Sequence, residues 1–465
     1  MFEELITRHL TYTPNDQQQM LIQQLALFIF EGDADAIFLL NGYAGTGKTS
    51  LIGAFVRAVE SVGIKCILLA PTGRAAKVFA DYSTHTASTI HRKIYRQKEF
   101  SPEYNNFQLT DNMHKSTIFI VDEASMIADT PIDYSSAGSG RLLTDLINYV
   151  YNQQRCRLIF MGDKAQLPPV GFIESPALER DRLMGMGLKV RDFSLTDTVR
   201  QLKESGILYN ATIVRKQIFQ SSINAPMVLT TSIFADIENV SGEYLIEKIS
   251  DCYDRDGISN TCIITRSNKR AAQFNAAIRN RILYREDELC SGDMLLIAKN
   301  NYFWSEQYKE LDFIANGDMA RVIRTSGTSS EHGFRFADID LEFPDQEIEV
   351  SARVILDALM SESPALTREQ NQALYNSVMA ETSGTKRDRL KQLKQDPYYN
   401  ALQIKYSYAI TCHKAQGGQW RNIFIDMGYI TEEALLSVDF HRWLYTAITR
   451  ATTHVYLINS PLELN

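Results

Sequence analysis

Gly42-Tyr43-Ala44-Gly45-Thr46-Gly47-Lys48-Thr49 fits the spacing G-x-x-x-x-G-K-[ST]. The apolar run Ile37-Phe38-Leu39-Leu40 precedes it, as a buried parallel strand should. Ser50-Leu51-Ile52-Gly53-Ala54-Phe55-Val56 continues it at helical spacing. Strand, glycine turn and helix in that order aim backbone N–H groups at one point at a helix N-terminus, where a polyphosphate is stabilised. In such a loop Gly42, Gly45, Thr46, Gly47 and Ser50 form the cradle. Lys48 reaches the β and γ phosphates, and Thr49 offers its hydroxyl to Mg²⁺.

Working outward, further apolar runs end in polar or glycine-rich signatures. The run over 65–70 ends at Pro71-Thr72-Gly73-Arg74, that over 118–121 at Asp122-Glu123, and that over 157–161 at Gly162-Asp163. Helical patterns lie between them. This alternation predicts an α/β fold with a doubly wound parallel sheet, whose ligands sit beyond the carboxyl ends of the strands. A second α/β pattern starts near Gly242, with a strand over 261–265 and a helix over 268–281. It returns over 404–410, 422–427 and 453–458. Between them, about 311–405, short alternating runs and the charged piece 386–394 suggest a β-rich insert with a helical part. The division expected is 1–235 and 236–465.

Bulk properties agree. A chain of 465 residues exceeds one ordinary core. Its 45% hydrophobic and 22% charged residues describe a soluble globular protein. MFEELITRHL lacks the basic start and apolar core of a signal peptide, and no run approaches membrane-spanning length. Cys66, Cys156, Cys252, Cys262, Cys290 and Cys412 are scattered without a C-x-x-C pair, which points to reduced thiols, a cytoplasmic setting and no zinc site. The net charge of −8 disfavours a nucleic-acid coat protein but says little about one groove.

Beside a phosphate loop, Asp122 can orient the Mg²⁺ shell and Glu123 can accept a proton from an attacking water. Paired acids after a strand otherwise just begin a helix. Gln166, in Gly162-Asp163-Lys164-Ala165-Gln166-Leu167-Pro168-Pro169-Val170, can sense a γ-phosphate or align water. Arg200 and Arg450 each follow an apolar stretch and suit stabilisation of transition-state charge, although either taken alone reads as a surface or salt-bridge residue. Thr411-Cys412-His413-Lys414-Ala415-Gln416-Gly417-Gly418 joins a strand to a glycine turn rich in donors.

Together these signatures resemble the superfamily 1 helicases, specifically the 5′→3′ branch with the RecD-like, Dda-like and Pif-type enzymes. The match runs from Gln17 to Arg450 in the family's order: G-x-A-G-T-G-K-T, A-P-T-G-R-A-A, D-E-A-S, G-D-x-x-Q-L-P-P-V, T-x-H-K-A-Q-G and Y-T-A-x-T-R-A. The resemblance implies two RecA-like P-loop NTPase lobes with ATP between them, a short β-hairpin insert (about 93–113) in the first and a small SH3-like β-rich insert in the second. It implies that Gln17 reads the adenine, with the neighbouring Gln18 and Gln19 as the other registers, that Lys48, Glu123, Gln166, Arg200 and Arg450 are catalytic, that Gly418 lies on the nucleotide side, and that Thr49 and Asp122 hold Mg²⁺. Pro71, Thr72, Arg74, His91, Thr411 and His413 fall in the family's DNA-contacting segments. The interval between Lys48 and Asp122 has no room for the large insert of the 3′→5′ branch. Phe107, after the turn formers Asn105 and Asn106, is the expected wedge residue of a pin. Gln419 departs from the glutamate that UvrD-like members place on ribose.

The activity implied is ATP-dependent 5′→3′ translocation on single-stranded DNA with duplex unwinding at forks. It belongs to repair or recombination, in a monomer working with replication or repair proteins, with no membrane and near the nucleoid if bacterial. Two other readings stay open here. One is a DNA-stimulated motor subunit of a RecD-type exonuclease complex, and the other is a nucleotide-dependent recruitment switch that never unwinds.

Overall fold

The computed structural model describes residues 2–30, 33–97, 107–130, 139–153, 155–198, 205–220, 223, 225–308, 311 and 313–465. The chain forms two compact units. The first joins Met1–Ala225 to Leu436–Thr449, and the second joins Pro226–Leu435 to Arg450–Asn465. The division thus differs from a single cut near 235. The stretch that belongs with the first unit despite its position holds the helix Val438–Ile448, which packs on the helix Gly206–Ile218. His441 Nε2 lies 2.6 Å from Gln217 Oε1 there.

In chain order the first unit contains β1 (Ala36–Gly42), β2 (Lys65–Ala70), β3 (Ala87–Thr89), β4 (Tyr95–Gln97), β5 (Phe107–Leu109), β6 (Thr117–Val121), β7 (Arg157–Gly162) and β8 (Lys189–Leu195). Six of these form a sheet in the order β3-β2-β6-β7-β1-β8, every neighbouring pair parallel. The central strands read as unbroken apolar runs because both faces are covered. Phe38, Leu40, Ile118, Ile120, Ile159 and Met161 pack on the face with the helices Asp16–Phe30 and Lys48–Ser61. Their neighbours Leu39, Phe119, Val121, Leu158 and Phe160 pack on the other, with the helix Leu142–Tyr151. The period of two decides which residue serves which layer.

β4 and β5 pair antiparallel through Tyr95↔Leu109, Arg96↔Gln108 and Gln97↔Phe107. The tip between them and the Phe107 side chain lie outside the described residues.

The second unit continues with β9 (Val228–Leu229), β10 (Ile237–Val240), β11 (Thr261–Thr265), β12 (Met294–Ile297), β13 (Met319–Glu331), β14 (Phe334–Phe343), β15 (Ile348–Ile355), β16 (Leu402–Tyr406), β17 (Ala409–Thr411), β18 (Trp420–Asp426), β19 (Ala451–Ile458) and β20 (Glu463–Leu464). A parallel sheet runs β10-β19-β18-β11-β17, and β12 to β16 close into a five-stranded barrel. The helices Arg368–Glu381 and Lys386–Gln395 cover Phe334 and Phe336 of that barrel. Two sequence expectations are corrected. The barrel begins at Met294, ahead of 311, and the run 404–410 is not one strand. β16 closes the barrel and β17 joins the parallel sheet.

The change of direction at Ser407–Tyr408 is held by one carboxylate. Asp293 is fully buried and accepts from Tyr408 Oη (2.7 Å), Arg279 Nε (3.1 Å) and Nη2 (3.0 Å), Arg285 Nη1 (2.6 Å) and the Cys290 N–H (2.8 Å). Such a group is stabilised only while its partners remain. Asp293→Ala strands two guanidinium groups, one of them buried, and should cost about 3–5 kcal/mol in urea denaturation. Loss under about 1 kcal/mol would show that the network is not needed to hold the barrel on the sheet.

Candidate functional site

β6, β7 and β1 are neighbours in one parallel sheet, so the turns that follow them leave from the same edge. The turn after β1 is the glycine loop. Gly45 and Gly47 both sit at φ 76°, the left-handed region that glycine tolerates. Gly47 caps the helix Lys48–Ser61, whose first amides face the loop, and Ser50 lies in its first turn. Lys48 Nζ donates to the Gly42 carbonyl at 3.1 Å, and Thr46 Oγ1 to the Tyr43 carbonyl at 2.8 Å.

Asp122 and Glu123 follow β6. Thr49 Oγ1 lies 3.4 Å from Asp122 Oδ2, a hydroxyl and a carboxylate side by side as a hard divalent cation requires. Burial pushes the Asp122 carboxyl up to about 6, while the Lys48 ammonium pulls the other way. Glu123 holds φ 51°, a conformation uncommon outside glycine, and its N–H donates to Asp122 Oδ1 at 2.8 Å. Among the described residues no group of three or more His, Cys, Asp or Glu could hold a metal. A Mg²⁺ at a phosphate loop needs only one or two protein oxygens, since phosphate and water supply the rest.

Gly162 and Asp163 follow β7. A Cβ on Gly162 would come within 2.6 Å of Leu178 Cδ1, so the chain packs there without a side chain. Burial raises the Asp163 carboxyl, with Lys48 opposing. Gln166 is 6% exposed, and its Oε1 has no hydrogen-bond partner among the described residues. Lys48, Thr49, Asp122, Glu123, Asp163 and Gln166 are therefore collected by adjacent turns of one unit.

Gln17 is bonded to the turn that follows β8, the neighbour of β1. Its Oε1 accepts from the Thr196 and Asp197 amides (2.9 and 3.1 Å), and its Nε2 donates to Thr196 Oγ1 (2.7 Å). Gln18, named in the sequence only as another register for the adenine contact, has a different part. It is buried and donates to the Thr46 carbonyl at 3.0 Å, which props the loop from behind. Tyr43 carries the Arg215 guanidinium over its ring at 4.2 Å, another contact without a motif.

Among the candidate strand contacts, Thr72 caps the helix Gly73–Ser83 by accepting from the Ala75 N–H, placing Pro71 and Arg74 at that helix start. Burial pushes the His91 imidazole down to about 4, so it is neutral at physiological pH and can hydrogen-bond or stack but not pair with a phosphate as a cation. In the second unit Thr411 ends β17 and His413 follows, its imidazole also lowered by burial. A cavity there is lined by Asn268, Ser361, Lys405, Thr411 and Lys414. Burial pulls both lysines down to about 8, leaving them mostly charged at neutral pH. Gly418 and Arg450 also meet within this unit, with Arg450 Nη1 3.5 Å from the Gly418 carbonyl. Arg200 lies outside the described residues.

Two family models match the chain: an AAA domain over residues 13–211, and a UvrD-like helicase C-terminal domain over residues 406–458. The ATP-dependent DNA helicase Dda of Enterobacteria phage T4 is 23% identical over 450 residues, covering 90% of this chain and 93% of the phage protein. The ATP-dependent RecD2 DNA helicase of Deinococcus radiodurans is 31% identical over 157 residues, covering 34% of this chain and 18% of that protein. The crystal structure of Pif1 helicase from Bacteroides in complex with ADP-AlF3 and ssDNA aligns with a TM-score of 0.48 at 15% identity, covering 96% of this chain and 92% of that one. With its motifs in family order from Gln17 to Arg450 and a family model matched at either end of that span, the chain is similar to the superfamily 1 helicases, ATP-hydrolysing enzymes, of the RecD and Dda type.

Proposed function

We propose that this protein hydrolyses ATP with Mg²⁺ to move 5′→3′ along single-stranded DNA and to open duplex at a fork. The observation that carries this is the convergence of Lys48, Thr49, Asp122, Glu123 and Gln166 on adjacent turns of one sheet. Lys48 meets the β and γ phosphates, and Thr49 and Asp122 hold the cation that offsets their charge. Glu123 takes the proton of the attacking water, and Gln166 faces the γ-phosphate. Gln17 reads the adenine from the end of β8. Arg200 and Arg450 supply transition-state cations. Similarity to phage T4 Dda along nine-tenths of both chains supports the same activity.

The tracked strand runs over Pro71, Thr72, Arg74 and His91 of the first unit and over Thr411 and His413 of the second. Lys405 and Lys414 lie beside Thr411 as phosphate cations. Contacts of this kind are mostly to phosphates and stacked bases, and so do not depend on sequence. The short interval between Lys48 and Asp122, which carries the β4–β5 pair, supports the 5′→3′ branch and a pin tipped near Phe107.

Lys48→Ala should abolish hydrolysis. Glu123→Gln should keep ATP affinity while turnover falls by roughly 10²–10⁴-fold, because only the proton acceptor is lost. Fluorescent-nucleotide titration beside a phosphate-release assay separates the two, and loss of binding in folded Glu123→Gln would contradict the role given to Glu123.

Unwinding should require a 5′ single-stranded tail, with strand affinity falling steeply as salt rises. Strand displacement from 5′-tailed and 3′-tailed duplexes tests this. Efficient opening from a 3′ tail alone reverses the polarity. Strand-stimulated hydrolysis without displacement points instead to a motor subunit, and hydrolysis indifferent to DNA points to a switch.

Phe107→Ala should leave strand-stimulated hydrolysis near normal while unwinding drops sharply, since stacking worth about 1–3 kcal/mol per base is comparable to one base-pair step. A joint fall of both activities with a lowered Tm would make Phe107 a core residue.

A further inference from the structure

The turn that carries Gln166 is poorly tied by its own backbone. Its internal bonds are Ala165 N–H to Asp163 Oδ1 (2.9 Å) and Gln166 N–H to the Asp163 carbonyl (3.2 Å). Pro168 and Pro169 follow and donate nothing, so the Leu167 N–H is the last backbone donor before them. That donor is taken by Thr446 Oγ1 at 2.9 Å. Thr446 is fully buried, and its own proton goes to the Arg442 carbonyl at 2.7 Å, which leaves the oxygen facing Leu167 as an acceptor. One residue earlier, buried Tyr445 donates from Oη to Asp163 Oδ2 at 2.6 Å and accepts from the Ala44 N–H at 3.0 Å. Two successive residues of the helix Val438–Ile448 therefore grip the turn on either side of Gln166, and one of them also holds the third residue of the phosphate loop. All these residues belong to the first unit.

The gripped side chain is the one with unused bonding capacity. Gln166 Oε1 and Ser125 Oγ are both buried without a hydrogen-bond partner among the described residues, and both line one cavity with Asp163 and Arg442. An amide whose oxygen is unsatisfied there needs its backbone held from outside.

We infer that Tyr445 and Thr446 are positioning residues for hydrolysis: they clamp the turn Asp163–Leu167 to the phosphate loop and so set where the Gln166 amide points. This rests on the role proposed above for Gln166. A small error in such a position is expensive, because a displacement of about 1 Å in a positioning group can cost on the order of 10²-fold in rate.

The test is a double-mutant cycle on strand-stimulated ATP hydrolysis by the full chain. Thr446→Val keeps the shape and removes the hydroxyl. It should lower kcat roughly tenfold with KM for ATP nearly unchanged. Thr446→Ser should restore kcat. In a Gln166→Ala background, Thr446→Val should add no further loss, since a residue that acts through Gln166 has nothing left to position. Tyr445→Phe taken through the same cycle should behave alike, and it decides the matter if the valine variant does not fold. Wild-type kcat in Thr446→Val, Thr446→Ser as slow as Thr446→Val, or an undiminished loss in the Gln166→Ala background overturns the inference and leaves the helicase reading standing. Wild-type kcat in Gln166→Ala alone overturns the role of Gln166 and the inference with it.

Discussion

Three parallel strands side by side govern the chemistry of the first unit. β6, β7 and β1 are hydrogen-bonded neighbours covered on both faces, so their side chains are committed to packing and only the turns beyond their carboxyl ends are free to carry polar groups. Lys48, Asp122 and Asp163 are brought together by that arrangement and by nothing local. Burial of the two carboxylates would be untenable without a cation, and Lys48 acts on both, lowering each against the rise that burial imposes. The site is thus a small cluster in which one ammonium group faces several carboxylates, set on an apolar sheet. Its electrostatics are fixed before any substrate arrives, which is the condition for preorganised catalysis.

The second unit solves a different problem. A barrel and a parallel sheet share one chain segment, and the strand that closes the one leads within two residues into the edge strand of the other. Asp293 gathers the donors that this bend requires, drawing on two arginines, a tyrosine and a backbone amide. Thr411 ends that edge strand and His413 follows it, so the stiffness of the junction passes to residues expected to meet nucleic acid.

Much of this was legible in the sequence, for identifiable reasons. Both sheets announce themselves because strands buried on two faces are continuous apolar runs, and the glycine loop because left-handed φ values at Gly45 and Gly47 and a close helix start leave little choice of residue. Other features were hidden. The break at Ser407–Tyr408 lies inside a run that is apolar throughout, so no change of pattern marks where barrel becomes sheet. Gln18 stood in a row of three glutamines only as another register for the adenine contact; its buried place behind the loop was missed, although it shares a helical face with Leu21, Ile22 and Leu25, all buried, and that periodicity was the available signal. Tyr445 and Thr446 read only as flanks of Arg450, since their partners Asp163, Ala44 and Leu167 are hundreds of positions away and hydrogen bonds at such range leave no local trace.

The helix Val438–Ile448 has a consequence for how the polypeptide can be divided. It belongs to the first unit, yet the chain on both sides of it belongs to the second. No contiguous piece of the sequence is therefore a whole first unit. A fragment ending at Ala225 would keep every residue of the glycine loop and both acidic turns, but the Leu167 and Ala44 amides and the Asp163 carboxylate would each lose a partner. Half the gene would encode the glycine loop and both acidic turns without the helix that braces them, so insertion, truncation or permutation of this chain must respect a seam that its motif map does not show.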